Sequence, residues 1–252
     1  MQHLLRKQII LLIAFMVITF AAFSQTDEVF QPNHDELRYY LGMSVGISNN
    51  YLSFKRNTNF SYPRPGEVSF IQPEQTFYLN LGLTGTLKLS NHIALRSNPT
   101  LLISGSKTAF SYTSDPSNPS TFQTYTIPSV IVDLPIGFKI QSDRYNAFKY
   151  PDIMRHYLLT GIKFGFDLGS EKSATLGNGQ TYGTNIIKGT DMAYELGLGL
   201  SFFLRYATIS PEVKFSYGLR DLRKISDPRY PLVNSLDKIT SNFVYFTIHI
   251  EN

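Results

Sequence analysis

The sequence predicts an all-β fold, an eight-stranded antiparallel transmembrane β-barrel of an outer membrane, and three observations carry that prediction. The first is the stretch Phe77-Tyr-Leu-Asn-Leu-Gly-Leu-Thr-Gly-Thr-Leu-Lys-Leu89, in which every odd position but Gly85 is apolar and most even positions are polar or small. It exceeds the length of an ordinary soluble strand, about five or six residues, and suits a tilted strand crossing a bilayer, which takes about nine to eleven. The second is recurrence: the same dyad rhythm returns roughly eight times between turn-rich segments. The third is an export signal ahead of all of them.

In that signal Arg6 and Lys7 precede the apolar run 9–20, and Ala22-Phe23-Ser24 places small residues where a signal peptidase inspects them, so cleavage is expected before Gln25. The run is short for a membrane anchor and no stop-transfer charges follow it. No later run of eighteen apolar residues occurs, which excludes a helical membrane protein. The chain therefore divides into a signal peptide (1–24), a short periplasmic tail (25–36) and a barrel domain (37–252). The remainder, about 228 residues, suits one all-β domain.

The strands fall at 37–48, 77–89, 92–112, 124–141, 156–168, 192–205, 207–219 and 242–250. Their connections alternate in length: 49–76, 113–123, 169–191 and 220–241 are long, Ser90-Asn91 and the junction at Tyr206 are tight, and 142–155 is intermediate. Long loops outside and short turns in the periplasm are the habit of outer-membrane barrels. The 113–122 loop has the Ser, Pro and Thr content of an exposed segment, and 142–155, with Asp143-Arg144, Lys149 and Pro151, is a candidate periplasmic contact surface.

Sorting by parity separates the faces. Leu41, Val45, Leu79, Leu83, Ile103, Val130, Val132, Leu134, Ile136, Phe138, Ile162, Phe164, Leu198, Leu200, Phe202, Val213, Phe215, Phe246 and Ile248 are expected toward lipid. Arg38, Lys88, Arg96, Asp133, Lys139, Lys163, Asp167, Glu195, Glu212, Lys214, His249 and Glu251 are expected toward the lumen. Charges of both signs on one parity require that the other parity be shielded from water. An eight-stranded barrel is just wide enough for side chains to fill. Its lumenal charges must then neutralise one another, and Arg96, Asp133, Lys139, Lys163, Asp167, Glu195, Glu212 and Lys214 form the expected structural ion-pair network. A proton or ion relay through the same carboxylates is the functional alternative. Tyr39, Phe77, Tyr78, Tyr157, Tyr194, Tyr206, Tyr217, Phe243 and Tyr245, near predicted strand ends, are expected in the interfacial girdles.

No catalytic, cofactor-binding or metal-binding residues are assigned. Gly-x-Ser-x-Gly and His-Glu-x-x-His are absent, and Gly197 and Gly199 lie within a strand, where Gly-Leu-Gly serves backbone packing. With no cysteine, the fold uses neither disulfides nor thiolate metal sites. Removing Arg6 and Lys7 leaves 21 basic against 19 acidic residues. The basic residues are scattered singly, except in Arg220-Asp221-Leu222-Arg223-Lys224, read as a solvated loop, so no nucleic-acid partner is expected. Nor is a small-molecule substrate.

Four ordered motifs carry a family resemblance: Ile93-Ala-Leu-Arg-Ser-Asn-Pro99, Asp133-Leu-Pro-Ile-Gly-Phe-Lys139, Tyr194-Glu-Leu-Gly197 and Ser210-Pro-Glu-Val-Lys-Phe-Ser-Tyr-Gly218. Their order and spacing resemble the PorT family of outer-membrane barrels, of the type IX secretion and gliding-motility machinery. Two departures stand out: the fourth-strand acidic residue, Glu in the family, is Asp133 here, and the chain ends Ile250-Glu251-Asn252 without a terminal aromatic residue. The resemblance implies a non-catalytic component needed for protein export across the outer membrane, with membrane lipid and other secretion proteins as partners. The alternatives are an adhesive or structural surface barrel working through its loops, and a lipid-modifying enzyme.

Overall fold

The computed structural model describes residues 31–56, 70–113, 123–147, 150–169, 174–176, 181–182, 187–224 and 236–252. The expected export signal and most of the 113–122 loop lie outside them. Among the described residues, a 3-10 turn, Pro32–Asp35, precedes thirteen strands. In chain order these are β1 (Tyr39–Arg56), β2 (Phe70–Pro73), β3 (Thr76–Lys88), β4 (Ile93–Ser97), β5 (Thr100–Thr113), β6 (Gln123–Gln141) and β7 (Tyr145–Ala147). There follow β8 (Tyr150–Asp167), β9 (Ala174–Leu176), β10 (Thr181–Tyr182), β11 (Thr190–Phe203), β12 (Thr208–Gly218) and β13 (Leu236–Glu251).

Antiparallel pairing passes from β1 to β3, to β4 with β5, to β6, β8, β11, β12 and β13, and returns to β1. This closed ring has eight wall strands, because β4 and β5 form one line. Ser97 faces Ile136 and Thr100 faces Asp133 in unbroken register, and only Asn98-Pro99 interrupts the ladder, since proline has no N–H to give. The seam between β1 and β13 runs from Gly42 opposite Glu251 to Arg56 opposite Leu236. Closure removes the sheet edges that a membrane cannot tolerate.

The wall reproduces the parity of the sequence. Outward residues form a continuous apolar belt that includes Leu41 (68% exposed), Leu83 (64%) and Leu198 (63%). A surface of this kind is incompatible with water and fits a bilayer. Inward positions are buried and largely polar.

Several expectations need correction. Arg38 precedes β1 and is exposed rather than lumenal. Of the nine aromatics assigned to girdles, Tyr39, Phe77, Tyr194, Tyr206 and Tyr217 are exposed, whereas Tyr78, Tyr157, Phe243 and Tyr245 are buried inside the barrel. Their parity matches the lumenal charges and overrides aromatic type. The intermediate connection is partly a hairpin: Tyr145 faces Met154 and Ala147 faces Tyr150, so β8 starts six residues earlier than expected. The presumed solvated loop at 220–224 is tied down, with Leu222 buried and its backbone bonded to Lys188 and Ile239.

Candidate functional site: the charged lumen and its mouth

Among the described residues, the wall strands bury Arg96, Lys139, Lys163 and Lys214 in the lumen with Asp133, Glu195, Glu212 and Glu251, and Arg155 at its mouth. Those in the lumen gather in two layers. In the layer nearer the tight connections, Arg96 donates to Glu251 at 2.8 Å and to Glu212 at 3.4 Å. The Tyr157 hydroxyl donates to the same Glu212 oxygen at 2.9 Å, and His249 Nε2 lies 3.6 Å from it. The other ring nitrogen of His249 meets Thr84 Oγ1 at 3.0 Å. Lys139 makes no ion pair among the described residues; its ammonium sits over the Tyr157 ring at 4.3 Å, a cation–π contact.

The second layer lies deeper. Tyr245 donates to Asp133 at 2.7 Å, and Lys163 reaches the same carboxylate at 3.4 Å and the Tyr245 oxygen at 2.9 Å. Lys214 pairs with Glu195 at 3.0 Å on the neighbouring strand. The Lys163 ammonium also stands 4.1 Å from the Phe243 ring, which stacks on Tyr245. Asp167 stands apart, beyond this layer, where it accepts from Ser129 Oγ at 3.3 Å and from the Gly169 N–H at 2.9 Å.

Close packing fills the space between layers. Gly199 is required here: a Cβ on it would lie 2.2 Å from the Tyr157 ring, which crosses that spot to reach Glu212. The void left among Arg96, Asn98, Glu195, Glu212, Lys214 and His249 is about 10 Å³, room for about one water molecule.

The four sequence motifs converge on this lumen. Arg96 comes from the first, Asp133 and Lys139 from the second, Glu195 from the third, and Glu212 and Lys214 from the fourth. Ser97 Oγ donates to the Pro135 carbonyl at 2.8 Å, joining the first two motifs directly. Network reasoning from sequence omitted Glu251, the better partner of Arg96, although parity had placed it inside. It also omitted the phenols of Tyr157 and Tyr245.

At the end with the tight connections, the residues before β1 fold over the mouth. Asp35 pairs with Arg144 at 2.7 Å and Arg155 at 3.1 Å. Both guanidinium groups lie over the Phe203 ring, at 3.7 and 5.5 Å. Burial alone raises the Asp35 pKa, but Arg155, Arg144 and Lys88 outweigh it and hold the carboxyl below its usual value. His34 packs between Tyr40 and Phe203, and burial, reinforced by Arg144, pushes it down to about 4. No group of metal-binding side chains occurs among the described residues.

A match to a known family agrees with this architecture. The family described as "Outer membrane protein beta-barrel domain" matches residues 23–224. Among curated proteins, none matches. Similar solved structures include Ail, the attachment invasion locus protein of Yersinia pestis (10% identity, 86% of this chain and 100% of that one, TM-score 0.41). Neisserial surface protein A is similar at 8% identity, over 85% of this chain and 96% of that one, with TM-score 0.45. The outer membrane protein OprG of Pseudomonas aeruginosa shares 10% identity over 85% of this chain and 94% of its own, with TM-score 0.39.

Proposed function

The chain belongs to the outer membrane protein beta-barrel domain family, and from that premise we propose that it is a non-catalytic, non-conducting barrel that serves protein export as an accessory component of a type IX-like secretion apparatus. The observation that carries this reading is the convergence of the four PorT-like motifs on one buried charge assembly. Contacts link all four motifs, Ser97 to Pro135, Arg96 to Glu212 and Lys214 to Glu195, which supports reading them together as one feature. A lumen filled with neutralised charges offers no route for solutes. Action then falls to the two ends of the barrel, and the periplasmic end has a structured face made by the tail and the β7–β8 hairpin.

Deleting the gene in its host and comparing proteins in the medium and the periplasm tests this reading. Cargo that leaves the medium, accumulates inside and returns with a complementing copy supports it. Unchanged pools overturn it.

A second reading, a surface barrel that contacts partners through its loops, draws on wall strands such as β6, whose 19 residues exceed the nine to eleven or so that span a bilayer. Trimming the long loops then abolishes surface binding while export persists.

A further inference from the structure

Residues 31–35 sit in the barrel mouth as a bound peptide would. They pair with no strand, and His34 N–H to the Gln31 carbonyl, at 3.2 Å, is their internal backbone bond. The mouth supplies the rest from five wall strands and one turn. Arg144, in the turn before β7, donates to the Gln31 carbonyl at 3.1 Å and engages Asp35. Arg155 of β8 engages the same carboxylate, and Thr208 of β12 donates to the Gln31 side-chain oxygen at 2.9 Å. Lys88 of β3 donates to the Asp35 carbonyl, while Tyr40 of β1 and Phe203 of β11 flank the His34 ring.

The receptor belongs to the barrel and to the turn before β7 rather than to the tail. The side chains of Arg144 and Arg155 are only 7% and 8% exposed, and Phe203 and Thr208 are buried. The occupant joins β1 through three exposed residues, Glu36, Leu37 and Arg38, of which the Arg38 carbonyl accepts from the Lys88 N–H at 2.7 Å. Gln31 has a φ of 51°, a left-handed conformation that side-chain-bearing residues adopt rarely, so the site rather than local preference holds it. Two arginines stacked on a ring and converging on one carboxylate form a geometry suited to bidentate recognition of an aspartate or glutamate.

We propose that this mouth is a docking site for an acidic peptide segment of a periplasmic partner, and that residues 31–35 are its resident occupant, displaced when the partner's segment enters. The proposal is independent of the export role. Its chemistry is specific: a carboxylate between Arg144 and Arg155, with a flat side chain beside it against Phe203.

The chain has no cysteine, so Glu36→Cys gives a single site for a spin label in the membrane-inserted protein. The label is expected to be immobilised in the otherwise unchanged chain and freed by Asp35→Asn. A fluorescent, acetylated peptide Gln-Pro-Asn-His-Asp-Glu added in trans is then expected to bind the Asp35→Asn protein saturably. Its affinity should exceed that of the same peptide with Asn for Asp by tenfold or more. Asp35 lies outside the wall, so this variant keeps its fold, checked by heat-dependent gel migration. A label that stays immobile in Asp35→Asn, or two peptides that bind alike, overturns the proposal.

Discussion

The phenol of Tyr245 donates to Asp133 at 2.7 Å across the full width of the lumen, because β13 and β6 stand opposite one another in the eight-membered ring. The bond ties two walls that share no backbone contact. Tyr245→Phe removes it and also takes one partner from Lys163. The expected cost is about 1–3 kcal/mol, the usual penalty for stranding a buried polar group, read from urea unfolding of the barrel refolded in lipid vesicles. A midpoint equal to that of the parent protein would show that the tie carries no stability.

Arg96 and Lys139 are both buried lumenal cations, yet they should respond differently to removal. Arg96→Met leaves Glu212 and Glu251 without their shared cation and is expected to cost about 3–5 kcal/mol. Lys139→Met removes a cation–π contact and no ion pair, so its cost should be about 1 kcal/mol. Equal losses in a side-by-side unfolding experiment would contradict this distribution of charge contacts.

Gly199→Ala forces a methyl group into the ring of Tyr157 and is expected to destabilise the barrel by about 1–3 kcal/mol. Tyr157→Leu vacates the ring's place, so adding Gly199→Ala to that variant should cost little more. Additive losses in the double-mutant cycle would mean that the two positions do not compete for space.

Acid should loosen the tail. The docked His34 binds its proton only near pH 4, whereas a released histidine binds it near 6.5, so docking is complete above 6.5 and weakens as pH falls between the two. Across that window one proton is linked, which corresponds to about tenfold per pH unit at most. Asp35, depressed by its arginines, adds a further loss below its ordinary value of 3.8. The groups facing His34 are Arg144, Asp35, Glu251 and Lys139. A spin label at position 36 should therefore gain mobility on acidification, and His34→Gln should remove the part above pH 4.

Planar-bilayer recording provides an independent check on the filled lumen. The parent protein is expected to show no single-channel steps. Simultaneous Arg96→Ala, Lys139→Ala and Glu212→Ala substitutions, if the barrel still assembles, should admit small ions. Steady conductance by the parent protein would refute the non-conducting reading.

Much of this architecture was legible in the sequence because the side-chain period of a strand is two, and one buried face fixes it. Arg96, Asp133, Lys163, Glu195, Glu212 and Lys214 all stand where parity places them. Tyr157 and Tyr245 are legible by parity and not by residue type, since an aromatic near a strand end serves equally well in a girdle or as a lumenal tie. Partnerships across the barrel were not legible: that Arg96 prefers Glu251 depends on strand tilt and stagger, which no single strand encodes. The early start of β8 was hidden by Pro151-Asp152. In the fold Asp152 takes a φ of 50° and its N–H meets Asn146 Oδ1 at 3.0 Å, so the sequence that resembles a turn continues into a strand. The docked tail has no period at all, and only three dimensions bring Asp35 to Arg144 and Arg155.

The lumenal charges are also divided unevenly along the chain. Setting aside the mouth, where Arg155 engages Asp35, the strands from β1 to β6 contribute Arg96 and Lys139 against Asp133, and those from β8 to β13 contribute Glu195, Glu212 and Glu251 against Lys163 and Lys214. One half of the sheet thus has surplus positive charge and the other surplus negative. Lys163–Asp133 and Lys214–Glu195 join neighbouring strands, whereas Arg96 meets Glu212 and Glu251 only across the closed ring, so the β1–β13 seam is what joins the two surpluses. Opening the ring at that seam would part Arg96 from both carboxylates, so the charge assembly favours a closed barrel over an open sheet.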